Sequence, residues 1–174
     1  MFIKYLKLIL IITFFYQIPL YSKSKDLKDF NSKYLSNYFS GIIAYENKNN
    51  LEALEFFKSS RSLLNKHDPY LEKYTYSLVL ESKVKQAINE IKQNSDKSNS
   101  RFFEARLMLA IDSLKRKDFK KSKFYLDQSY EFINNDKVAL FIYQSLKEYI
   151  YTFQEGKILK TKKNFGDLSL VNKI

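Results

Sequence analysis

The chain has 174 residues, of which 45% are hydrophobic and 17% aromatic, and its formal net charge is +11. This apolar content excludes an intrinsically disordered chain, and only three glycines and two prolines argue against the many turns of a sheet, so an all-α fold is predicted. Cysteine is absent, which excludes disulfides, thiolate metal sites and cysteine nucleophiles.

The first predicted element is an export signal at residues 1–22. Lys4 and Lys7 precede a short apolar core that ends near Pro19. The uncharged stretch from 8 to 22 has 15 residues, fewer than the ~20 that span a bilayer. Two fates stay open, a signal peptide cleaved after Ser22 or an uncleaved N-terminal anchor. Both predict an exported protein, either periplasmic or anchored to the inner membrane and facing the periplasm.

A polar linker at residues 23–33 precedes seven predicted helices. From Tyr34 onwards, apolar residues recur at steps of three and four, which predicts amphipathic helices. Polar segments divide them into hairpins at about 34–66, 68–98 and 100–133, with a seventh helix at 136–153. The second helix is expected to run to about Asn65. Residues 154–174 have no clear pattern.

Polar residues at the predicted helix starts suit N-caps, because their side chains accept hydrogen bonds from free backbone N–H groups. The candidate caps are Asn49 or Asn50, Asp68 before Pro69, Ser100 and Asp118. Residues 134–136 are expected to start the seventh helix.

A pattern of small and bulky residues recurs in the three hairpins. Ala53, Ala87 and Ser122 are separated by 34 and 35 residues. Each follows a small residue of the preceding helix by 12 positions and precedes a bulky residue by four, which predicts close contact between the paired helices. The predicted packing residues are Gly41, Ala53, Phe57, Thr75, Ala87, Ile91, Ala110, Ser122 and Leu126.

Together with Tyr45 and Asp118-Phe119, this pattern resembles the tetratricopeptide repeat (TPR) family over roughly residues 34–153. The repeats are divergent, since tryptophan is absent and only Pro69 approximates the closing proline. The resemblance implies antiparallel hairpins stacked as a short right-handed α-solenoid, which serves as a protein–protein interaction scaffold. The layout is similar to the N-terminal part of longer exported bacterial TPR proteins. A plain helical bundle is the alternative.

In a solenoid of this kind, the first helices of the hairpins line a concave face that holds a protein or peptide partner. The residues projected onto that face are Tyr38, Ile42, Tyr45, Tyr76, Ile111 and Lys115. Tyrosines suit recognition because each combines a rigid apolar ring with a polar end. Packing of about half of these side chains into the core is the alternative interpretation.

The seventh helix lacks a capping repeat with a polar outer face, so we expect its apolar residues to be exposed. These residues are Leu140, Phe141, Tyr143 and Leu146. Their exposure predicts self-association through the seventh helix, or a longer parent protein.

No catalytic motif is found in the sequence. His67, the only histidine, lies beside Asp68 in a predicted turn, where adjacent side chains point apart. Carboxylates such as Glu52 with Glu55, or Glu90 with Asp96, are spaced like solvated helix faces. We therefore expect no enzymatic activity, no cofactor and no bound metal.

Basic residues cluster near the third hairpin and near the C-terminus. The first cluster is Lys115, Arg116, Lys117, Lys120, Lys121 and Lys123, and the second is Lys157, Lys160, Lys162 and Lys163. They suggest an alternative function, a membrane-tethered structural helical bundle that binds an acidic membrane surface. Nucleic acid is not an expected partner, because export separates the protein from it.

Overall fold

The computed structural model describes residues 31–157, and within this range it contains α-helices and no strand. The helices are α1 (Ser32–Glu46), α2 (Asn50–Ser59), α3 (Pro69–Leu80), α4 (Val84–Gln93), α5 (Phe103–Lys115), α6 (Phe119–Ser129) and α7 (Lys137–Glu155). Short 3-10 segments lie at Arg61–Asn65, Ser98–Ser100 and Tyr130–Phe132. The all-α prediction is confirmed. The predicted export signal at 1–22, most of the linker and residues 158–174 lie outside the described residues.

Each helix packs against the next one along the chain, and α1 also contacts α3, as α5 contacts α7. The buried side chains form three clusters. One is centred on the aromatic rings of α1 to α3, one lies where α3 and α4 meet α5, and one lies among α5, α6 and α7. The helices that are expected to form pairs are therefore in contact, and a core runs along the described chain.

The turns between α1 and α2, α3 and α4, and α5 and α6 have the same backbone geometry. Lys48, Ser82 and Lys117 are left-handed, with φ of 62°, 59° and 61°. In each turn the next backbone N–H donates to a carbonyl five residues earlier, at 2.7–3.0 Å. This is the Schellman arrangement, which satisfies the last carbonyls of a helix. The three left-handed residues are 34 and 35 residues apart, the same period as the small residues.

The predicted packing residues are all buried in the structure: Gly41, Ala53, Phe57, Thr75, Ala87, Ile91, Ala110, Ser122 and Leu126. A Cβ atom added to Gly41 would lie 2.9 Å from Cε1 of Phe57. The hydroxyl of Ser122 donates to the Ala110 carbonyl across the helix pair, at 2.8 Å. Small side chains are thus present where the paired helices approach closely.

The second helix was expected to reach about Asn65, but α2 ends at Ser59 and continues as a 3-10 segment. Ser60 is fully buried, and its hydroxyl donates to the carbonyls of Phe56 and Phe57, each at 3.0 Å. The Tyr70 hydroxyl donates to the same Phe57 carbonyl at 2.6 Å. The hydroxyls of Ser60 and Tyr70 thus donate to carbonyls that would accept hydrogen bonds in a further turn of α2. Tyr70 reaches this position because it packs against α2 from α3.

The predicted caps differ in outcome. Asp118 accepts from the Lys121 backbone N–H at 3.1 Å, and Asp136 accepts from two N–H groups at the start of α7. Asn49 makes no cap bond, because its amide donates to Glu52. Asp68 also makes none, although Pro69 opens α3 as expected. Ser100 lies in a 3-10 segment, and α5 begins after Phe102.

The exposed face of α7 is not the one expected from the sequence. Tyr143 and Leu146 are buried against α5 and α6, and Leu140 and Phe141 are half-buried. The large exposed side chains of this helix are instead Val138, Tyr149, Tyr151 and Phe153. The apolar face of α7 packs against the preceding helices, so residues on its opposite side are in contact with solvent.

Candidate functional site

A groove of about 520 Å³ lies between α3, α5 and α7, and we call it the inner groove. Tyr76 on α3, Leu107 on α5 and Ile142 on α7 form its apolar wall. Glu72 and Glu104 add carboxylates from α3 and α5. An apolar floor with a few polar groups is the usual character of a binding groove.

Tyr76 is the central side chain of the inner groove. Its half-buried ring meets the ring of Phe102 edge-on, with centroids 6.2 Å apart. The Lys73 ammonium lies 5.6 Å from the centroid of the Tyr76 ring, within cation–π range. Burial, and then the neighbouring carboxylates of Glu104 and Glu72, raise the pKa of Tyr76 above its ordinary value. The hydroxyl therefore stays protonated, and its side-chain hydrogen bond with Glu104 is a further cause of the raised pKa.

The inner groove contains more carboxylates than cations, although the whole chain is basic. Glu104 is exposed and forms no ion pair with another described residue. Glu72 is 3.4 Å from the Lys73 ammonium, and Asp136 is engaged as the cap of α7. Among residues 31–157, Arg101 is the one cation that lines the groove. A ligand that brings a positive charge would be favoured beside Glu104.

The face projected from the sequence is not one continuous surface. Tyr38 is only 4% exposed, because its ring packs among Phe57, His67 and Tyr70. A ligand could not reach it without opening this core. Ile42 and Tyr45 are half-buried against the same aromatic cluster.

Ile111 and Lys115 are both exposed, but they line a second groove, between α4 and α5. Its volume is about 940 Å³, and it shares no lining residue with the inner groove. Among the projected residues, only Tyr76 lines the inner groove. The projection failed here because α5 presents one face to α4 and another to α7.

His67 lies in the turn before α3, and its ring is 4.6 Å from that of Tyr38, edge-on. Among the described residues, this ring contact does not bring a nucleophile or a metal ligand to His67. In residues 31–157 no group of three side chains from His, Cys, Asp and Glu is arranged to hold a metal ion.

Glu90 was interpreted as part of a solvated helix face, and this is wrong. The structure buries it, and it accepts two hydrogen bonds from Arg61, both at 2.8 Å. The bidentate pair joins the 3-10 segment after α2 to α4. Glu52, Glu55 and Asp96 are exposed as expected.

The residues of the first basic cluster are all exposed: Lys115, Arg116, Lys117, Lys120, Lys121 and Lys123. Arg116 pairs with Asp112 at 2.9 Å, and Lys121 lies 3.5 Å from Asp118. Phe119 and the exposed Phe153 share a shallow pocket with Lys115 and Lys117. Of the second cluster, Lys157 is exposed, and Lys160, Lys162 and Lys163 lie outside the described residues.

Sequence reasoning missed most residues of the inner groove, although part of the signal was present. Glu72 precedes Tyr76 by four positions, and Glu104 precedes Leu107 by three. Residues at these spacings share a helix face, so the two carboxylates could have been placed beside the apolar residues. Nothing in the local pattern indicates that Ile142 of α7 would complete the groove.

Comparisons with protein-family models, with curated proteins and with solved structures find no match to this chain. Among the described residues, no helix is both long and apolar enough to cross a membrane. The function is therefore inferred from the residues of the chain itself.

Proposed function

We propose that this protein is a non-catalytic scaffold that binds a protein or peptide partner in the bacterial cell envelope. In this proposal the seven helices form a short right-handed α-solenoid of divergent TPR-like hairpins. The equal geometry of the three turns and the burial of every predicted packing residue support the repeat. The observation that carries the function is the inner groove, which is lined by Tyr76 and Glu72 of α3 and by Glu104 of α5.

The composition of the inner groove suggests the chemistry of the partner. Tyr76, Leu107 and Ile142 offer apolar contacts, while Glu104 offers a carboxylate without an ion-pair partner among the described residues. Aromatic side chains surrounded by polar groups commonly carry most of the energy of an interface. We infer that an extended segment with apolar side chains and at least one lysine or arginine fits best.

Export is proposed from residues 1–22 alone. Self-association through the seventh helix is also proposed, but through residues other than those expected from the sequence. Tyr149 and Phe153 would form the contact, because Tyr143 and Leu146 are buried within the chain.

The groove proposal is tested with two synthetic heptapeptides that alternate isoleucine with lysine or with glutamate. Isothermal titration of the full-length chain should detect the lysine peptide and not the glutamate peptide. Tyr76→Ala should weaken binding by roughly tenfold or more, as expected for a central aromatic residue. Glu104→Gln should weaken it less.

Tyr151→Ala is the matched control, since it removes an exposed tyrosine that lies outside the inner groove and is not one of the proposed self-association contacts. It should bind the lysine peptide as the unmodified chain does. Equal binding by Tyr76→Ala would exclude the inner groove, and tighter binding of the glutamate peptide would reverse the inferred charge preference.

A second candidate function is a membrane-tethered helical bundle that binds an acidic membrane surface. The observation that favours it is that every residue of the first basic cluster is exposed, next to Phe119 and Phe153. Each basic residue near an anionic membrane contributes about 1 kcal/mol. The fraction of the protein that sediments with anionic liposomes should then fall as the salt concentration rises, and it should be lower still for the Lys117→Glu, Lys120→Glu double variant. Binding to neutral liposomes at high salt would contradict this candidate.

A further inference from the structure

A pocket of about 570 Å³ lies beside α5 and α6, next to the connection that follows α4. We call it the arginine pocket, because Arg101 and Arg106 both line it. Tyr125 and Gln128 of α6 form part of the opposite wall. It borders the inner groove at Arg101 and Phe132, which line both cavities. The inference below does not depend on the partner proposed for that groove.

Of the four arginines of the chain, Arg106 is the most buried, and like the exposed Arg101 it forms no ion pair with a described residue. Arg61 and Arg116 retain 46% and 54% of their side-chain exposure, and each forms an ion pair, with Glu90 and Asp112 respectively. Arg106 is only 8% exposed. Within residues 31–157 it has no ion pair and no side-chain hydrogen bond. Buried guanidinium groups are normally paired, because an unpaired charge in the interior is costly.

Arg106 cannot relieve this cost by losing its proton. Burial, and then the positive charge of Arg101, lower the pKa of its guanidinium, but arginine stays charged in proteins. The polar atoms of Arg106 are not among the buried side-chain atoms that lack both solvent contact and a partner. Its donors are therefore accessible from the arginine pocket. Water can hydrate these donors there, and a bound anion would in addition neutralise the charge.

The other residues of the arginine pocket indicate which anion fits. Asp96 and Glu131 also line it, and Glu131 acts on Arg106 through space without forming an ion pair. These two carboxylates offset the charge of the two arginines, so the pocket offers no surplus of positive charge to a dianion such as phosphate. A planar carboxylate matches the guanidinium fork and carries a single charge. The rings of Phe124, Tyr125 and Phe132 offer an apolar surface to the rest of such a ligand.

Gln128 adds a second polar group without a partner. Its Oε1 atom is buried and accepts no hydrogen bond from the described residues. Its Nε2 atom is not among the buried atoms that lack both solvent contact and a partner, so the amide N–H groups can donate into the arginine pocket. Arg106 and Gln128 would then both donate to an incoming carboxylate.

We propose that the arginine pocket binds the carboxylate group of a singly charged ligand with an apolar body, and that Arg106 is its main contact. The carboxylate belongs either to a small organic acid or to the C-terminus of a peptide. Asp96 and Glu131 select against more highly charged anions.

The test is a titration of the full-length chain at constant ionic strength, followed through the Nε–H resonances of its arginines. Phenylacetate should shift the Arg106 resonance saturably, and acetate should do so more weakly, because it lacks the apolar body. A short peptide that ends in phenylalanine with a free C-terminus is compared with its amide, which separates the two sources of carboxylate. No saturable shift with any carboxylate would overturn the proposal. Saturation by phosphate or sulfate at lower concentration than by phenylacetate would overturn it equally.

Variants separate binding from structure. Arg106→Met should abolish the stabilisation of the chain by phenylacetate while leaving its melting temperature without ligand unchanged or higher, since it removes an unpaired buried charge. Arg116→Met, which deletes an exposed arginine, should keep that stabilisation.

Glu131→Gln should tighten binding by removing a repulsive charge. A lower melting temperature for both Glu131→Gln and Arg106→Met would mean that these two residues pair with each other, which contradicts the proposal. If Arg106→Met does not fold, Arg106→Gln and the titration of the unmodified chain still decide the question.

Discussion

The helices from α1 to α4 and those from α5 to α7 differ in how their buried polar groups are paired. In the first region, Arg61 and Glu90 form a bidentate ion pair, and the buried Tyr70 hydroxyl donates to the Phe57 carbonyl. In the second region, Arg106 is buried without a partner, and Ser113 Oγ is buried without a hydrogen bond. The first region therefore satisfies its buried side-chain polar groups within the fold, whereas the second region keeps some that have no partner among the described residues.

The buried cores of the two regions also differ in their aromatic content. Tyr38, Phe57, Tyr70 and Tyr74 are in ring-to-ring contact in the first region, with centroids 5.7–6.5 Å apart. The position that Phe57 occupies in α2 is filled by Leu126 in α6, in the third hairpin. Three predictions follow this comparison from the largest expected effect to the smallest.

Truncation of the bulky packing residue should cost more in the first region than in the second. Phe57→Ala is expected to lower the free energy of unfolding by about 3–5 kcal/mol, and Leu126→Ala by about 2–5 kcal/mol. Urea denaturation of the two variants measures the difference. A cost for Leu126→Ala equal to or greater than that for Phe57→Ala would contradict the distinction between the two cores.

Gly41 allows an internal control for this experiment. Gly41→Ala should destabilise by about 1–3 kcal/mol, because the new methyl group meets the Phe57 ring. In the Gly41→Ala, Phe57→Leu double variant, the smaller side chain makes room for the methyl group. The two changes should therefore cost less together than the sum of their separate costs.

Replacement of Arg61, which is paired with Glu90, should destabilise the chain, whereas replacement of the unpaired Arg106 should not. Arg61→Met leaves the Glu90 carboxylate buried without its partner and should lower the free energy of unfolding by about 2 kcal/mol. This is less than for a fully buried pair, since half of the Arg61 side chain is solvated. Arg106→Met is expected to cause no such loss.

Glu90→Gln provides the control for Arg61. In the Arg61→Met, Glu90→Gln double variant, no charge remains buried, so part of the lost stability should return. Thermal unfolding of the four chains gives the coupling between the two residues. A coupling near zero would show that the bidentate pair does not stabilise the first region.

The smallest expected effect concerns the N-cap positions of α4 and α6, which are equivalent in the repeat. Asp118 caps α6, while Lys83, 35 residues earlier, makes no side-chain cap bond at the start of α4. The Lys121 backbone N–H lowers the pKa of the Asp118 carboxyl below its ordinary value. Its stabilising contribution is therefore present above the unfolded-state pKa and is lost as the pH falls through the folded-state pKa.

Asp118→Ala should accordingly be less stable than the unmodified chain at neutral pH, and the gap should close on acidification. The reciprocal change, Lys83→Asp, should stabilise the chain by about 1 kcal/mol by adding a cap. Urea midpoints measured at neutral and acidic pH test both changes. A gap for Asp118→Ala that does not vary with pH would exclude the cap as its cause.

Several features of the fold followed from the sequence. The three-and-four spacing of apolar residues located the helices, since helical periodicity is a local property of the chain. The period of 34 and 35 residues identified Gly41, Ala53 and the other small residues that the structure buries. It did not reveal that Lys48, Ser82 and Lys117 would adopt the same left-handed conformation, because none of them is glycine.

The surfaces were harder to predict, because periodicity assigns residues to a face of one helix but does not say which neighbour covers that face. Tyr38 was expected to face a ligand and is instead covered by rings from α2 and α3. Glu90 was expected to be solvated, but it is buried and paired with Arg61, which lies 29 residues earlier in the sequence.

Sequence by itself therefore determined the all-α class, the helix positions and the small residues at helix contacts, because each depends on spacing along the chain. Only the tertiary structure decided which tyrosine lines the inner groove, which glutamate is buried in an ion pair and which arginine is buried without one. Those outcomes depend on contacts between residues far apart in sequence. In Arg106 the fold has buried a charge that its own carboxylates do not neutralise by direct contact.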